Sequence, residues 1–362
     1  MADYFAPAFR VEINGTRLQA DVSENIQQVQ VVSKPGTLDT FSLTLANTLP
    51  KMRWTHTSDA ELFQLAKSVT IAFGYADHLE LMIEGEIKQI NPTFPSSGVP
   101  TVTIQGQTLL HRLMDNNKTR TFQKMTDKEI AQQIGEDAGL EVEAEDTDIR
   151  HDYVMQANQS DLAFLKERAD RIHFEIAMEQ KKLIFRKARE TSQKSYTLVW
   201  TQIQRGFTLA NTLPLKSFTP QLDASQPVSS VEYRAYDVKT KQAFVCRADS
   251  ADQTSTMGGQ ETAAQVITSS FQRPRQYNQG TMPFVSQAEG DQFAKAEYNS
   301  RAMNLIGGSG ETIGVPALRS GQVVELKGLG MMFDGLYYID EATHSIDGNG
   351  YQTSFTVKRN AK

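Results

Sequence analysis

Two carboxylates separated by one glycine, Glu84-Gly85-Glu86, come closest to acid–base machinery in this chain. Residues two apart on a strand share a face, and paired carboxyls can divide the roles of acid and base in glycoside hydrolysis. A soluble β-protein also puts acids on its watered face, and that placement explains both residues better. The six histidines, His56, His78, His111, His151, His173 and His344, are scattered. None has the His-Glu-x-x-His spacing that lets one helix face hold zinc, so each reads as a solvated or hydrogen-bonded histidine. Neither a Gly-x-Ser-x-Gly elbow nor a Gly-x-x-x-x-Gly-Lys phosphate loop occurs. Gly328-Leu329-Gly330 lacks the third glycine of a dinucleotide fingerprint and lies between strands, so it reads as a turn, as does Asp334-Gly335. The single cysteine, Cys246, excludes an internal disulfide and a cysteine metal cluster. Its neighbours Phe244 and Val245 make it a small buried filler. The residues therefore nominate no catalytic, cofactor-binding or metal site.

The 362 residues exceed one simple core, so two or more packed units are expected. With 43 acidic against 37 basic residues the net charge is −6. That balance excludes a phosphate-binding surface as the main business, and no stable nucleic-acid binding is expected. No basic-plus-apolar leader opens the chain, and no run of ~18 apolar residues suggests a membrane span.

From the N-terminus the pattern is β. Phe9 to Ile13 alternates, Asn14-Gly15 is a hairpin turn signal, and Thr16 to Leu18 returns. Val29 to Val32, Phe41 to Leu45, Val69 to Phe73, Leu79 to Gln89 and Val99 to Gly106 read as strands. A chain of such strands closes as a barrel or sandwich. Lys51 to Ala66 reads as a loop with a helical turn near Ala60 to Ala66. Thr126-Asp127-Lys128-Glu129 is a capping box, Ile130, Ile134 and Ala138 form its helix's buried face, and Gly139 stops it. Ser160 caps a second helix, with Asp161 in its first turn and Leu162, Leu165, Ala169 and Ile172 as an apolar stripe. An Asn-rich loop precedes it. A hairpin follows, from His173 to Met178 and back through Leu183 to Phe185.

Val228 to Tyr236 and Gln242 to Arg247 read as another hairpin. Ala248 to Gln287, rich in Ser, Gln, Thr and Gly, reads as a long or mobile insertion that limited proteolysis would cut first. Ser286-Gln287-Ala288-Glu289 opens a further helix, with Gly307 to Gly310 as its stop. Thr44 to Pro50 recurs unchanged at Thr208 to Pro214. No physical requirement explains the repeat.

The capped helix and hairpin, Gln156 to Phe185, resemble the helix–hairpin of phage tail hub proteins. These are the late control D family, related to the gp27-type hub and to the front half of type VI (VgrG) spike proteins. The C-terminal run is similar to the closing strands of that family's second barrel. It comprises Val315 to Gly330, Phe333 to Ile339, Thr343 to Ile346 and Gly350 to Val357. Two separated likenesses in the right order extend the resemblance over nearly the whole chain.

The resemblance implies a mainly β fold with α+β insertions: two tube-like antiparallel β-barrels plus a small helix–hairpin domain. The expected division is 1–112 for the first barrel and 113–190 for the small α+β domain. Residues 191–247 with 310–362 would form the second barrel, and 248–309 an insertion. The implied function is a structural baseplate hub of a contractile phage tail, tailocin or injection system. The chain would be made in the bacterial cytoplasm and carried in the particle. Three chains would present six barrels, so that a homotrimer adapts a separate trimeric spike to a hexameric tail tube or tube initiator among other baseplate proteins. The spike is expected to be separate because the chain reaches Lys362 directly after the second barrel. A tail-associated peptidoglycan hydrolase, with Glu84 and Glu86 as its acids, is the alternative. A transcription regulator, suggested by the family's historical name, fits poorly with the acidic balance.

Overall fold

The computed structural model describes residues 6–46, 62–76, 78–201, 211–237, 241–281, 284 and 286–362. The N-terminal strands are β1 (Pro7–Ile13), β2 (Thr16–Arg17), β3 (Ile26–Ser33), β4 (Thr40–Ala46), β5 (Ser68–Tyr75), β6 (His78–Thr93) and β7 (Thr101–Thr108), with a single helical turn α1 (Ala20–Ser23) after β2. Asn14 and Gly15 both have positive φ, at 49° and 75°, as a two-residue hairpin turn requires. Alternation sets the faces: Phe41, Leu43 and Leu45 of β4 are buried, whereas Thr40, Ser42 and Thr44 look outward. One core takes Val11, Val31, Leu43, Ile71, Ile87 and Ile104 from six different strands, so the set curls around its own side chains. The expected helical turn near Ala60 to Ala66 lies partly outside the described residues, and 62–66 is bend and turn.

A small α+β unit follows: β8 (Asn117–Thr126), α2 (Asp127–Asp137), β9 (Glu141–Ala144), β10 (Arg150–Ser160), α3 (Asp161–Arg171), β11 (Phe174–Glu179) and β12 (Lys182–Lys187). Both predicted caps are made. Thr126 Oγ1 accepts from the Glu129 N–H at 3.3 Å while Glu129 accepts from the Thr126 N–H at 2.9 Å, and Ser160 Oγ accepts from Ala163 N–H at 3.2 Å. Gly139, φ 70°, ends α2's last turn. The Asn-rich stretch before Ser160 is not a loop but the end of β10, paired with β8. A bulge between Gln156 and Gln159 absorbs Asn158 at φ 48°.

The remaining elements are β13 (Tyr196–Val199), β14 (Thr212–Leu222), β15 (Ser230–Asp237), β16 (Gln242–Asp249), α4 (Ala263–Phe271), β17 (Gln276–Thr281), α5 (Gln287–Ala302), β18 (Ile306–Ile313), β19 (Val323–Lys327), β20 (Gly335–Asp347) and β21 (Gly350–Arg359). Three sequence expectations are corrected here. First, the β15–β16 hairpin exists but stands apart from the second barrel. It pairs with β17 in its own three-stranded sheet, packed on α5 through Tyr233, Cys246, Phe284 and Tyr298. Second, the Ser- and Gln-rich stretch from 248 holds α4, with a Thr262–Gln265 capping box, and β17. Third, α5 ends at Ala302, and Gly307 to Gly310 belong to β18. Glycine is required there by packing. A Cβ on Gly308 would sit 2.5 Å from Phe218 Cζ, and one on Gly310 would sit 2.9 Å from Phe355 Cζ.

One thirteen-stranded sheet unites both strand sets, in the order β19-β13-β14-β18-β21-β20-β3-β4-β7-β6-β5-β1-β2. Strand β19 also pairs with β20, which closes the first six of these strands into a barrel. Strand β13 departs from the antiparallel expectation by running parallel to both β14 and β19. The two sets meet at the β3–β20 pairing, Ser33 to Gln28 against Ala342 to Asp347. Ile346 and Tyr351, from the barrel side, pack into the first core, and Tyr75 Oη donates to Gly314 O at 2.8 Å. Of the repeated segment, 47–50 and 208–210 lie outside the described residues.

Candidate functional site

Glu84 and Glu86 do share the outer face of β6, opposite Thr70 and Ser68 of β5. Their partners make them structural. Glu86 accepts from Arg112 at 2.7 Å and meets His111 Nε2 at 2.8 Å, while Glu84 pairs with Lys181 at 3.4 Å. Burial would raise the Glu86 carboxyl, but the hydrogen bonds from Arg112 and His111 outweigh it and hold the group below the usual carboxylate range. A glycosidase acid needs the opposite, a carboxyl kept protonated near neutrality.

The described histidines are placed the same way. His78 is exposed. His151 is buried between Asp127, at 3.2 Å, and Arg168, at 2.8 Å. His173 meets Glu190 at 3.0 Å. His344 bonds Leu318 O and Tyr351 Oη, each at 2.9 Å, so Nε2 carries the hydrogen given to the carbonyl. Burial, with the Arg319 charge nearby, drives His344 down to about 3 and keeps it neutral. His56 lies outside the described residues. Among the described residues no group of three or more His, Cys, Asp or Glu could hold a metal ion. Cys246 is buried against α5, and burial lifts its thiol to about 11, far from a reactive thiolate. Asp334 accepts from Leu329 N–H at 2.6 Å, within the turn that Gly328 and Gly330 allow through φ of 86° and 89°.

The distinctive feature is a surface that sequence reasoning missed. Where the large sheet runs from β7 through β4, β3, β20, β21 and β18 to β14, its outward face is almost entirely hydroxyl and amide. Thr103 and Gln105 of β7 stand beside Thr44 and Ser42 of β4, which stand beside Gln28 and Gln30 of β3. Across the seam come Ser345 and Thr343 of β20, then Gln352 and Ser354 of β21. Ser309 of β18 and Thr219 of β14 complete the row. Its charges are Glu311, Glu341 and Asp347, with Lys358 at the margin. Neighbours bond laterally: Gln28 Nε2 donates to Ser345 Oγ at 3.2 Å across the seam, and Thr44 and Thr103 hydroxyls meet at 3.4 Å. The signal was in the sequence, as Ser, Thr or Gln recurring at alternate positions of these strands, interrupted by Val32, Ala46 and Ile313.

A family model described as the Alg8 N-terminal domain matches residues 6–348. The chain belongs to that family. No curated protein matches this Alg8 N-terminal domain family member in sequence. Its fold is shared with solved tail proteins. The 43 kDa tail protein of prophage MuSo2 from Shewanella oneidensis superposes with a TM-score of 0.72 at 13% identity, covering 98% of this chain and 99% of that one. The tail protein of Neisseria meningitidis MC58 gives 0.70 at 13% identity, covering 98% and 97%. The E. coli c3393 protein, a type VI secretion component similar to the phage proteins gp27 and gp5, gives 0.59 at 12% identity, covering 97% and 77%. These likenesses bear out the fold read from the helix–hairpin and the C-terminal strands. Among the described residues no helix is long and apolar enough to cross a membrane.

Proposed function

We propose that this chain is a non-enzymatic structural subunit of a contractile tail or injection particle, acting as its baseplate hub. Three copies would bring six strand sets together into a collar that matches a hexameric tube on one side and a trimeric spike on the other. The observation that carries this is the β3–β20 seam. It joins the two strand sets in one sheet and gives them one continuous outward face.

That face suits the inner wall of a channel. Uncharged hydroxyls and amides stay hydrated and offer a passing polymer no fixed charge to pair with. Of the few charges, Glu311 and Asp347 repel nucleic acid, while Glu341 is paired with Lys34 and Lys358 with Asp340. The hydrolase alternative loses support because both carboxylates are engaged by cations, Glu86 by Arg112 and His111 and Glu84 by Lys181, so neither stands poised as the proton donor.

The mass of the chain in solution, alone and with its spike partner, tests the proposal, together with its copy number in intact particles. Trimers, or a copy number divisible by three, are expected. A copy number not divisible by three would overturn the hub. Lysis of purified cell wall that disappears with Glu84→Gln and Glu86→Gln together would restore the hydrolase.

A further inference from the structure

The β3–β4 turn is wedged where the small α+β unit meets both strand sets. Its Gly36 N–H donates to Ile176 O at 2.7 Å, and its Lys34 reaches Asp340 and Glu341 at 3.6 and 3.4 Å. A crevice lies on each side. One, about 280 Å³, runs between Asp39, Met82, Gln180, Arg189 and Arg319. The other, about 180 Å³, runs between Gly36, His173, Glu190, Asn304 and Tyr338.

Each crevice contains one ionisable group whose surroundings do not match its ordinary charge. Among the described residues the Asp39 carboxylate accepts only from the Lys34 backbone N–H, at 3.1 Å. Arg319, its nearby cation, donates instead to Met82 O and Leu81 O, at 2.9 and 2.6 Å, at the β6 bulge. The other charges facing this crevice are engaged or peripheral: Glu84 with Lys181, Arg186 with Glu175 and Glu179, and Arg189 exposed at the rim. Burial pushes Asp39 up to about 7, against the Lys34 N–H and the Arg319 charge. In the second crevice His173 Nε2 meets Glu190 Oε1, while Glu190 Oε2 is buried with no hydrogen-bond partner. Asp170 pairs with Lys166, Asp340 with Lys34 and Lys358, and Glu175 with Arg186 and the Tyr338 hydroxyl. Burial alone would depress His173, but Glu190, then Glu175 and Asp170, outweigh it and raise it.

We propose that this junction is a proton-controlled latch, which holds the small α+β unit tightly against both strand sets at mildly acidic pH and loosens as the pH rises past neutral. Both groups act in this direction. When the junction opens, Asp39 regains an ordinary carboxyl near 4, so above that value opening releases a proton and is favoured by rising pH until the buried value is passed. His173 holds its proton, and its pairing, below its ordinary value near 6.5. The pairing is lost as pH rises through the raised value, which leaves Glu190 buried beside a neutral ring. The latch works within one chain, so it stands or falls apart from any assembly.

Hydrogen exchange followed by mass spectrometry on the full chain tests it. After correction for intrinsic rates, protection of residues 33–39 and 174–190 should fall roughly tenfold between about pH 6 and about pH 8 from Asp39 alone, with His173 adding to it. Asp39→Asn should keep the junction closed at both values. His173→Asn, which suits the φ of 58° at that position, should open it at both. Equal protection at the two pH values in the natural chain would overturn the latch, as would the two variants shifting protection in the same direction.

Discussion

The two strand sets solve the same problem differently. The C-terminal set closes by hydrogen bonds: β19 bridges β13 and β20, so no edge of that barrel is left within the described residues. The N-terminal set is not closed by pairing. Among the described residues its ends, β1 with β2 and β3, do not bond each other, and its integrity rests on a core filled from six of its seven strands, the exposed β2 excepted, with Val22 of α1 packed against it. Closure by backbone tolerates a thin, glycine-rich strand such as β18. Glycine also serves the first set, where Gly74, Gly85 and Gly106 are buried in β5, β6 and β7 at close approaches to neighbouring strands. The first set also borrows its last neighbour, β20, from the second.

The largest test of this contrast is at the shared seam. Tyr351 contacts Phe73 edge-on at 5.5 Å and Tyr75 at 5.7 Å while holding His344. Tyr351→Ala should cost about 3–5 kcal/mol. In hydrogen exchange it should lower protection in both sets together; loss confined to one would show that they unfold independently. Next comes acid. Because folding holds His344 near 3, its contribution is present above the ordinary histidine value and is lost as pH falls from about 6.5 toward 3, on the order of a few kcal/mol. Melting temperature against pH should show that loss, and His344→Asn should flatten it. Gly310→Ala should then destabilise the closed barrel by about 1–3 kcal/mol through overpacking on Phe355 and Ser217 O, with little effect on exchange in β4. Ser160→Ala is the smallest, about 1 kcal/mol from the lost cap of α3. It should leave both sets' exchange unchanged, and an effect on the barrel would show tighter coupling of the small unit than its contacts suggest.

Local chemistry was legible in the sequence and long-range pairing was not. Thr126, Ser160 and Asn14-Gly15 announced their structures because a cap or a tight turn is decided within four residues. The hairpin of Tyr233 and Cys246 was legible as a hairpin, but its sheet was not, since its partner β17 lies some distance on. Strand β8 was missed because Asn117 to Lys124 is mostly polar, with one face half covered and the other wet. The glycines of β18 read as a stop because nothing local shows that Phe218 and Phe355 must lie over them. Of the candidate site, the placement of Glu84 and Glu86 on one outer strand face was readable from their spacing. Their cationic partners Arg112 and Lys181, and the polar face spanning both sets, required the tertiary register.

The seam also dictates a timetable. Ser33 waits for Ala342, so the outer edge of β3 stays unpaired until a segment about three hundred residues downstream leaves the ribosome, and pairings that distant form slowly. A nascent or prematurely terminated chain therefore exposes a bare strand edge, which invites aggregation or capture by chaperones. Only chains that have received their final strands can hide it, so the geometry sorts finished copies from unfinished ones.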